Sequence, residues 1–189
     1  MTINDNEKFW ELNYTSADHN NEYKFYEKFA TFSKQFSFDD VSNSLQEGSV
    51  TSNPLNSFYI HNMLKAIIQV RNVHYSDNLS LLHHEVDSIF NTDKITSDSD
   101  LFFSFNANST SLEHIEDYDI FCLNLLGSFS LIMQNLVQPF NIGDAFYMPK
   151  NKSYHFIGTS PFIIFSFGLR GDISRLYSGE DFESLSENP

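Results

Sequence analysis

The chain has 189 residues, with 25 acidic against 11 basic side chains and a formal net charge of −14. That balance argues against a nucleic-acid partner, whose phosphates would be repelled rather than neutralised. It would suit a basic protein or peptide, although acidity more often serves solubility alone. The single cysteine, Cys122, excludes an intrachain disulfide, and no apolar run approaches the length of a membrane span.

The length suits a single domain with a sizeable core. Twenty Phe and nine Tyr predict that this core is aromatic. The first ten residues, MTINDNEKFW, show no basic region followed by an apolar run, so they do not read as a signal peptide, and the cytoplasm is the default location. Residues 1 to about 20 are polar, with Phe9, Trp10, Leu12 and Tyr14 as anchors. Phe25, Phe29, Phe32 and Phe36 then recur at helical spacing, which predicts an amphipathic helix over roughly residues 22–36. A seam facing the core is the commoner meaning of such a stripe than a ligand-binding face. Ser37 or Asp39 is placed to cap a short helix carrying Val41 and Leu45. From Gln46 to Ser57 the composition is that of a loop.

Ile67, Ile68, Val70 and Val73 predict a strand around residues 66–73. Ser76 or Asp77 starts a helix with Leu79, Leu82, Val86 and Phe90 on one face. His83 and His84 lie on it about 100° apart, too divergent for a tight pair, and read as surface or partly packed residues. Thr96–Asp100 reads as a polar turn. The remainder is strand-dense, with strands expected near residues 101–106, 114–126, 129–134, 145–148, 154–158 and 162–169. Turn signals stand at Asn141–Asp144 and at Ser160-Pro161. Short strands divided by turn clusters indicate a β-sandwich or barrel rather than a parallel α/β sheet. Cys122, inside the apolar run, reads as a small hydrophobe.

Chemistry concentrates in Leu112–Gly127, LEHIEDYDIFCLNLLG. On a strand, residues i and i+2 share a face, so His114 and Glu116 converge on one space. Further on, Gly143-Asp-Ala-Phe-Tyr-Met-Pro149 leads to His155, a candidate third ligand. Two imidazoles and a carboxylate make a facial triad, the usual protein share of a non-haem Fe(II) oxygenase site. There is no G-x-S-x-G elbow, P-loop, Rossmann glycine pattern or C-x-x-C pair. The density of Glu113, Glu116, Asp117 and Asp119 alone does not make a paired-carboxylate hydrolase.

The pattern H-x-[DE]-D-x-D-x-F-x-L-x-L-x-G from His114, followed by N-x-G-D-x-x-Y-x-P from Asn141 and a histidine, resembles the JmjC and ribosomal-oxygenase-like branch of the cupin superfamily. The likeness runs from Asn106 to about Leu169, with a weaker lead-in at Phe36–Leu45 and Val70–Phe90. It implies a mainly β architecture, a double-stranded β-helix over about residues 96–170, with an N-terminal α-helical segment over about residues 1–95 packed on it. For active members it also implies Fe(II)- and 2-oxoglutarate-dependent hydroxylation, with His114, Glu116 and His155 as catalytic metal ligands.

Three positions depart from the family frame. Glu116 stands where Asp is more frequent. The distal histidine is usually five residues after the proline of Y-x-P; here that position is Tyr154, and His155 follows it. Two explanations compete: a residue inserted in the loop Lys150–Ser153 brings His155 into the site, or Tyr154 has replaced the ligand and His155 faces away. The insertion is the expectation adopted. Finally, the Lys or Arg that pairs with 2-oxoglutarate in such relatives, fifteen residues after the first ligand, is Phe129 here. A buried carboxylate needs a partner. Arg170, Asn124 and Tyr154 are the candidates to supply it, although Arg170 also suits an exposed turn.

The resulting expectation is an iron- and 2-oxoglutarate-dependent oxygenase acting on a protein, peptide or small molecule, with oligomeric state open. The alternatives are a degenerate, non-catalytic cupin serving as a binding or scaffold protein, and a metal cupin that does not use 2-oxoglutarate.

Overall fold

Along Ser153–Gly158 every second side chain is buried, and Phe129–Met133 follows the same rhythm. This is the period of strands with one face on a core. Asp119–Leu126 is instead buried almost throughout, as a central strand covered on both sides must be. The computed structural model describes residues 1–4, 23–46, 66–71, 73, 77–87 and 95–170, and these patterns sort themselves there into two facing sheets.

In chain order the elements are β1 (Thr2–Ile3), β2 (Lys24–Tyr26), β3 (Ala30–Thr31), helix α1 (Phe38–Gln46), β4 (Ile68–Val70) and helix α2 (Asp77–Asp87). The strands β5 (Ile95–Ser104), β6 (His114–Ile115), β7 (Asp119–Leu126) and β8 (Phe129–Met133) follow. The last four are β9 (Leu136–Phe140), β10 (Ala145–Met148), β11 (Ser153–Gly158) and β12 (Phe162–Arg170). A six-stranded sheet runs β2-β10-β7-β12-β5-β4, a four-stranded sheet runs β6-β11-β8-β9, and β1 pairs with β3. Every pairing between these strands is antiparallel. The architecture is the expected double-stranded β-helix.

Two apolar layers lie on either side of the six-stranded sheet. Phe121, Leu123, Phe165, Phe167 and Leu101 face outward and pack with Phe29, Val41, Leu79, Leu82 and Val86 of the lead-in. Cys122, Phe146, Ile164, Phe102 and Ile120 face inward and pack with Phe129, Leu131, Tyr154 and Phe156 of the four-stranded sheet. Alternate residues of one strand thus serve different layers.

The lead-in differs from expectation over residues 22–36, where two short strands replace the helix. Phe25 enters the inner layer, edge-on to Phe140 at 5.0 Å, while Phe29 enters the outer layer against Phe121 at 5.2 Å. A recurrence of four residues therefore reflects two cores rather than one helical face. β2 zips onto the free edge of β10, Phe25 opposite Phe146. The bend after it is held from the predicted Asn141–Asp144 turn: the Lys28 N–H donates to Asp144 Oδ1 at 2.8 Å, and the Ala30 N–H to the Gly143 carbonyl at 3.0 Å. Gly143, at φ 86°, has no room for a Cβ, which would lie 2.3 Å from the Ala30 carbonyl oxygen.

The expected short helix is present. The Ser37 N–H and hydroxyl both donate to Asp40 Oδ2, and Lys34 Nζ lies 2.8 Å from Oδ1. Asp40 is buried, which opposes its ionisation, yet these donors outweigh burial and hold its carboxyl below the usual range. The strand expected around residues 66–73 is confined to β4, and α2 starts at Asp77 as expected. Thr96–Asp100 belongs to β5 rather than to a turn, and β9 was not expected. Its Pro139 spoils a strand pattern but is tolerated because β9 is a sheet edge. The anchors Phe9 to Tyr14, most of the Gln46–Ser57 loop and Phe90 lie outside the described residues.

Candidate functional site

Register places the site. His114 on β6 stands opposite Tyr154 on β11, Ser153 opposite Ile115, and Met148 at the end of β10 opposite Ile120 at the start of β7. With Met133 and Leu136 closing the β8–β9 hairpin, these residues form one end of the barrel, its mouth. The other end is shut by left-handed Gly127 and Gly143 and by Ser128 bonded to Ser160.

His114 points inward as expected. Its ring stacks on Tyr154 at 5.4 Å, meets Phe102 edge-on at 5.2 Å and tilts against Phe156 at 5.8 Å. Nε2 is buried with no hydrogen-bond partner. Burial, then the nearby His155, pull the imidazole below its ordinary pKa and keep it neutral. The carboxyl of Glu116, half-buried just past β6, is pushed up, chiefly by burial and further by Asp100 and Asp117, while a Tyr118 hydrogen bond and Arg71 oppose the rise.

The third ligand is where the structure departs from the adopted expectation. Tyr154 is buried at 2% exposure and alternates inward with Phe156, while Ser153, His155 and Ile157 take the opposite face. His155 is opposite Ile132, another residue of the outer row. With Tyr154 inward, the period of two puts its neighbour His155 on the opposite face. Among the described residues no group of three or more His, Cys, Asp or Glu is placed to hold a metal ion. Burial foremost, with Cys122 and Glu116 adding to it, pushes the Tyr154 hydroxyl well above its ordinary range, so it stays a neutral phenol. The donor set at the mouth is therefore one imidazole and one carboxyl, which does not fit the two-histidine, one-carboxylate triad.

The candidate 2-oxoglutarate residues are also dispersed. Phe129 is buried, stacked on Phe140 at 4.9 Å and 1° and edge-on to Phe156 at 5.5 Å. Asn124 is buried near the closed end, its amide donating to the Gly127 carbonyl at 3.0 Å. Arg170 ends β12 opposite Ile95. Tyr147 faces the outer layer and donates to Asp119 Oδ2 at 2.8 Å.

One group was missed. Asp100, Ser166 and Cys122 stand side by side across β5, β12 and β7. Gln69 Nε2 donates to Asp100 Oδ2 at 2.8 Å, and Cys122 Sγ to Ser166 Oγ at 3.3 Å. This polar row crosses the inner face beside Glu116. The alternation of Asp100 and Phe102 was the available signal, masked by the turn-like run before it.

No protein-family model matches the chain, and no curated protein matches it in sequence. Solved structures do. The ribosomal oxygenase YcfD from Escherichia coli superposes with a TM-score of 0.67 at 17% identity, over 98% of this chain and 56% of that one. The same enzyme in complex with cobalt and 2-oxoglutarate gives 0.64 at 16% identity, over 87% and 52%. Its complex with cobalt and succinic acid gives 0.63 at 16% identity, over 88% and 56%. The chain thus spans about half the length of these neighbours. Among the described residues no helix is long and apolar enough to cross a membrane. The described strands make a double-stranded β-helix, and the likeness to this ribosomal oxygenase, at this identity, speaks for the fold alone.

Proposed function

We propose that this chain is a non-catalytic cupin, a protein that binds rather than oxidises. The observation that carries this reading is Tyr154, which fills with a neutral phenol the place opposite His114 where a second imidazole would be needed. Phe129 supports it, because an apolar ring packed on Phe140 stands where the resemblance places the cation for a dicarboxylate co-substrate.

One observation favours the second reading, an Fe(II)- and 2-oxoglutarate-dependent hydroxylase of protein, peptide or small-molecule side chains. His114 Nε2 is buried without a partner, as a metal-facing nitrogen would be, and Glu116 follows it on the same face. Such an enzyme would take its third protein ligand from outside the described His, Cys, Asp and Glu set.

Anaerobic titration with Fe(II), followed by an assay of 2-oxoglutarate decarboxylation, separates the two. The non-catalytic reading expects no stoichiometric iron and no turnover, with His114→Ala and His155→Ala indistinguishable from the parent. Iron bound at one equivalent and lost in His114→Ala would overturn it. Turnover in addition would establish the hydroxylase, and iron without turnover a metal cupin of another kind.

A further inference from the structure

At the mouth, just beyond Tyr154, lies a half-open pocket of about 530 Å³. Tyr23, Met133, Leu136 and Met148 form its apolar part. Three of these are set by strand ends: Met133 is opposite Leu136 across the β8–β9 turn, and Met148 closes β10. Tyr23 immediately precedes β2 and tilts against Phe146 at 6.3 Å. Met133 and Met148 belong to the inner layer that includes Tyr154, so the pocket floor is the packed barrel itself. Its size suits a small organic ligand, and barrel mouths are a common place for one.

Charge selects the ligand class. In a chain of net charge −14, the lining contains no Asp or Glu among the described residues. Its polar groups are Gln134, Asn135, Lys152 and Ser153. Lys152, exposed at the rim, is the one ion among them. Glu113 sits just outside and accepts from the Ser153 hydroxyl, so a second negative group on a ligand would meet a carboxylate. One cation, neutral donors and a methionine floor fit one acid group on an apolar body.

We propose that this pocket binds a small amphipathic monocarboxylate, with its acid group at Lys152 and its apolar end on Met133, Leu136 and Met148. The proposal deepens the non-catalytic reading and rests on it, by naming what the barrel would bind.

The test titrates full-length, metal-free protein with 4-phenylbutyrate, followed by calorimetry and by amide chemical shifts at residues 133–136 and 148–153. The neutral 4-phenylbutanol and the dicarboxylate glutarate serve as comparisons. Saturable binding of phenylbutyrate is expected, with the alcohol on the order of tenfold weaker, which is the worth of about one charge-assisted contact, and glutarate weaker still. Lys152→Ala should erase the preference for the acid over the alcohol. Leu136→Trp, at a position 43% exposed and therefore tolerant of change, should block both. No saturable phenylbutyrate binding, equal affinity for acid and alcohol, or binding untouched by Leu136→Trp would each overturn the proposal. Iron titration of the same preparation is read separately. One equivalent of Fe(II) removes the non-catalytic reading whatever phenylbutyrate does, and failure of phenylbutyrate leaves that reading standing.

Discussion

The two apolar layers flanking the six-stranded sheet invite comparison, because only one has a reason to be full. The outer layer joins sheet to helices, where close packing is the rule. The inner layer occupies the interior of the barrel, where an oxygenase must keep room for a metal and its co-substrate. Here its side chains are as buried as those of the outer one. The rings of Phe140, Phe156 and Phe162 each lie against Phe129 at 4.9 to 5.5 Å, and all four are at most 1% exposed. Phe29, Phe121, Phe165 and Phe167 do the same work outside. Among the described residues three buried side-chain polar atoms have no partner: Nε2 of His114 and the hydroxyl of Tyr23, residues at the mouth, and Oδ1 of Asn124 near the closed end. At the mouth, Tyr23 lines a pocket of about 530 Å³. Function is to be sought at that end.

The largest expected effect tests the equivalence of the layers. Phe129→Ala and Phe121→Ala should each cost about 3–5 kcal/mol, the range for emptying a packed aromatic site, measured by urea unfolding. A cost for Phe129→Ala well below that for Phe121→Ala would reveal usable space inside the barrel and reopen the catalytic reading.

His114→Phe sharpens the contrast between mouth and interior. It replaces an imidazole with an unsatisfied nitrogen by a ring suited to its three aromatic neighbours, and should stabilise the protein by about 1–2 kcal/mol near neutral pH. The gain should grow in acid. The folded imidazole titrates below its ordinary value of 6.5, so as pH falls from there the unfolded chain takes up a proton that the folded chain refuses, and stability drops. Glu116 works the other way: its folded carboxyl titrates above 4.5, so its contribution is lost as pH rises through the folded value. Thermal unfolding of parent and variant between pH 7.5 and 5 reads the difference. Destabilisation by His114→Phe at neutral pH would mean that the imidazole has a partner worth keeping.

The smallest effect belongs to the outer layer's border. Asp40→Ala removes the acceptor for Ser37 at the start of α1 and should cost about 1 kcal/mol. The charge-dependent part is present above the unfolded carboxyl value of 3.8 and is lost as pH falls through the lower folded one. Equal unfolding midpoints for parent and variant at pH 7 would show that the cap contributes nothing to the layer it borders.

Local patterns in the chain determined a good deal. Alternation along residues 129–133 and 153–158, the turn at Asn141–Asp144, the cap at Ser37 and the apolar face of α2 depend on neighbours in sequence, so they were legible there. The period of two also offered a choice at Tyr154 and His155, since one must face in and the other out, but not its answer. That answer came from pairing: Tyr154 against His114 and His155 against Ile132 fix which face is the interior. The same physics misled at Phe25 and Phe29, whose helical spacing serves two layers that exist only once β10 has received β2 at its edge. Asp100 was hidden for the same reason, its neighbours Ser166 and Gln69 lying 66 and 31 positions away. Contacts within a few residues follow from propensity and spacing, whereas the inside of a barrel is defined only by which distant strands meet, and in which register.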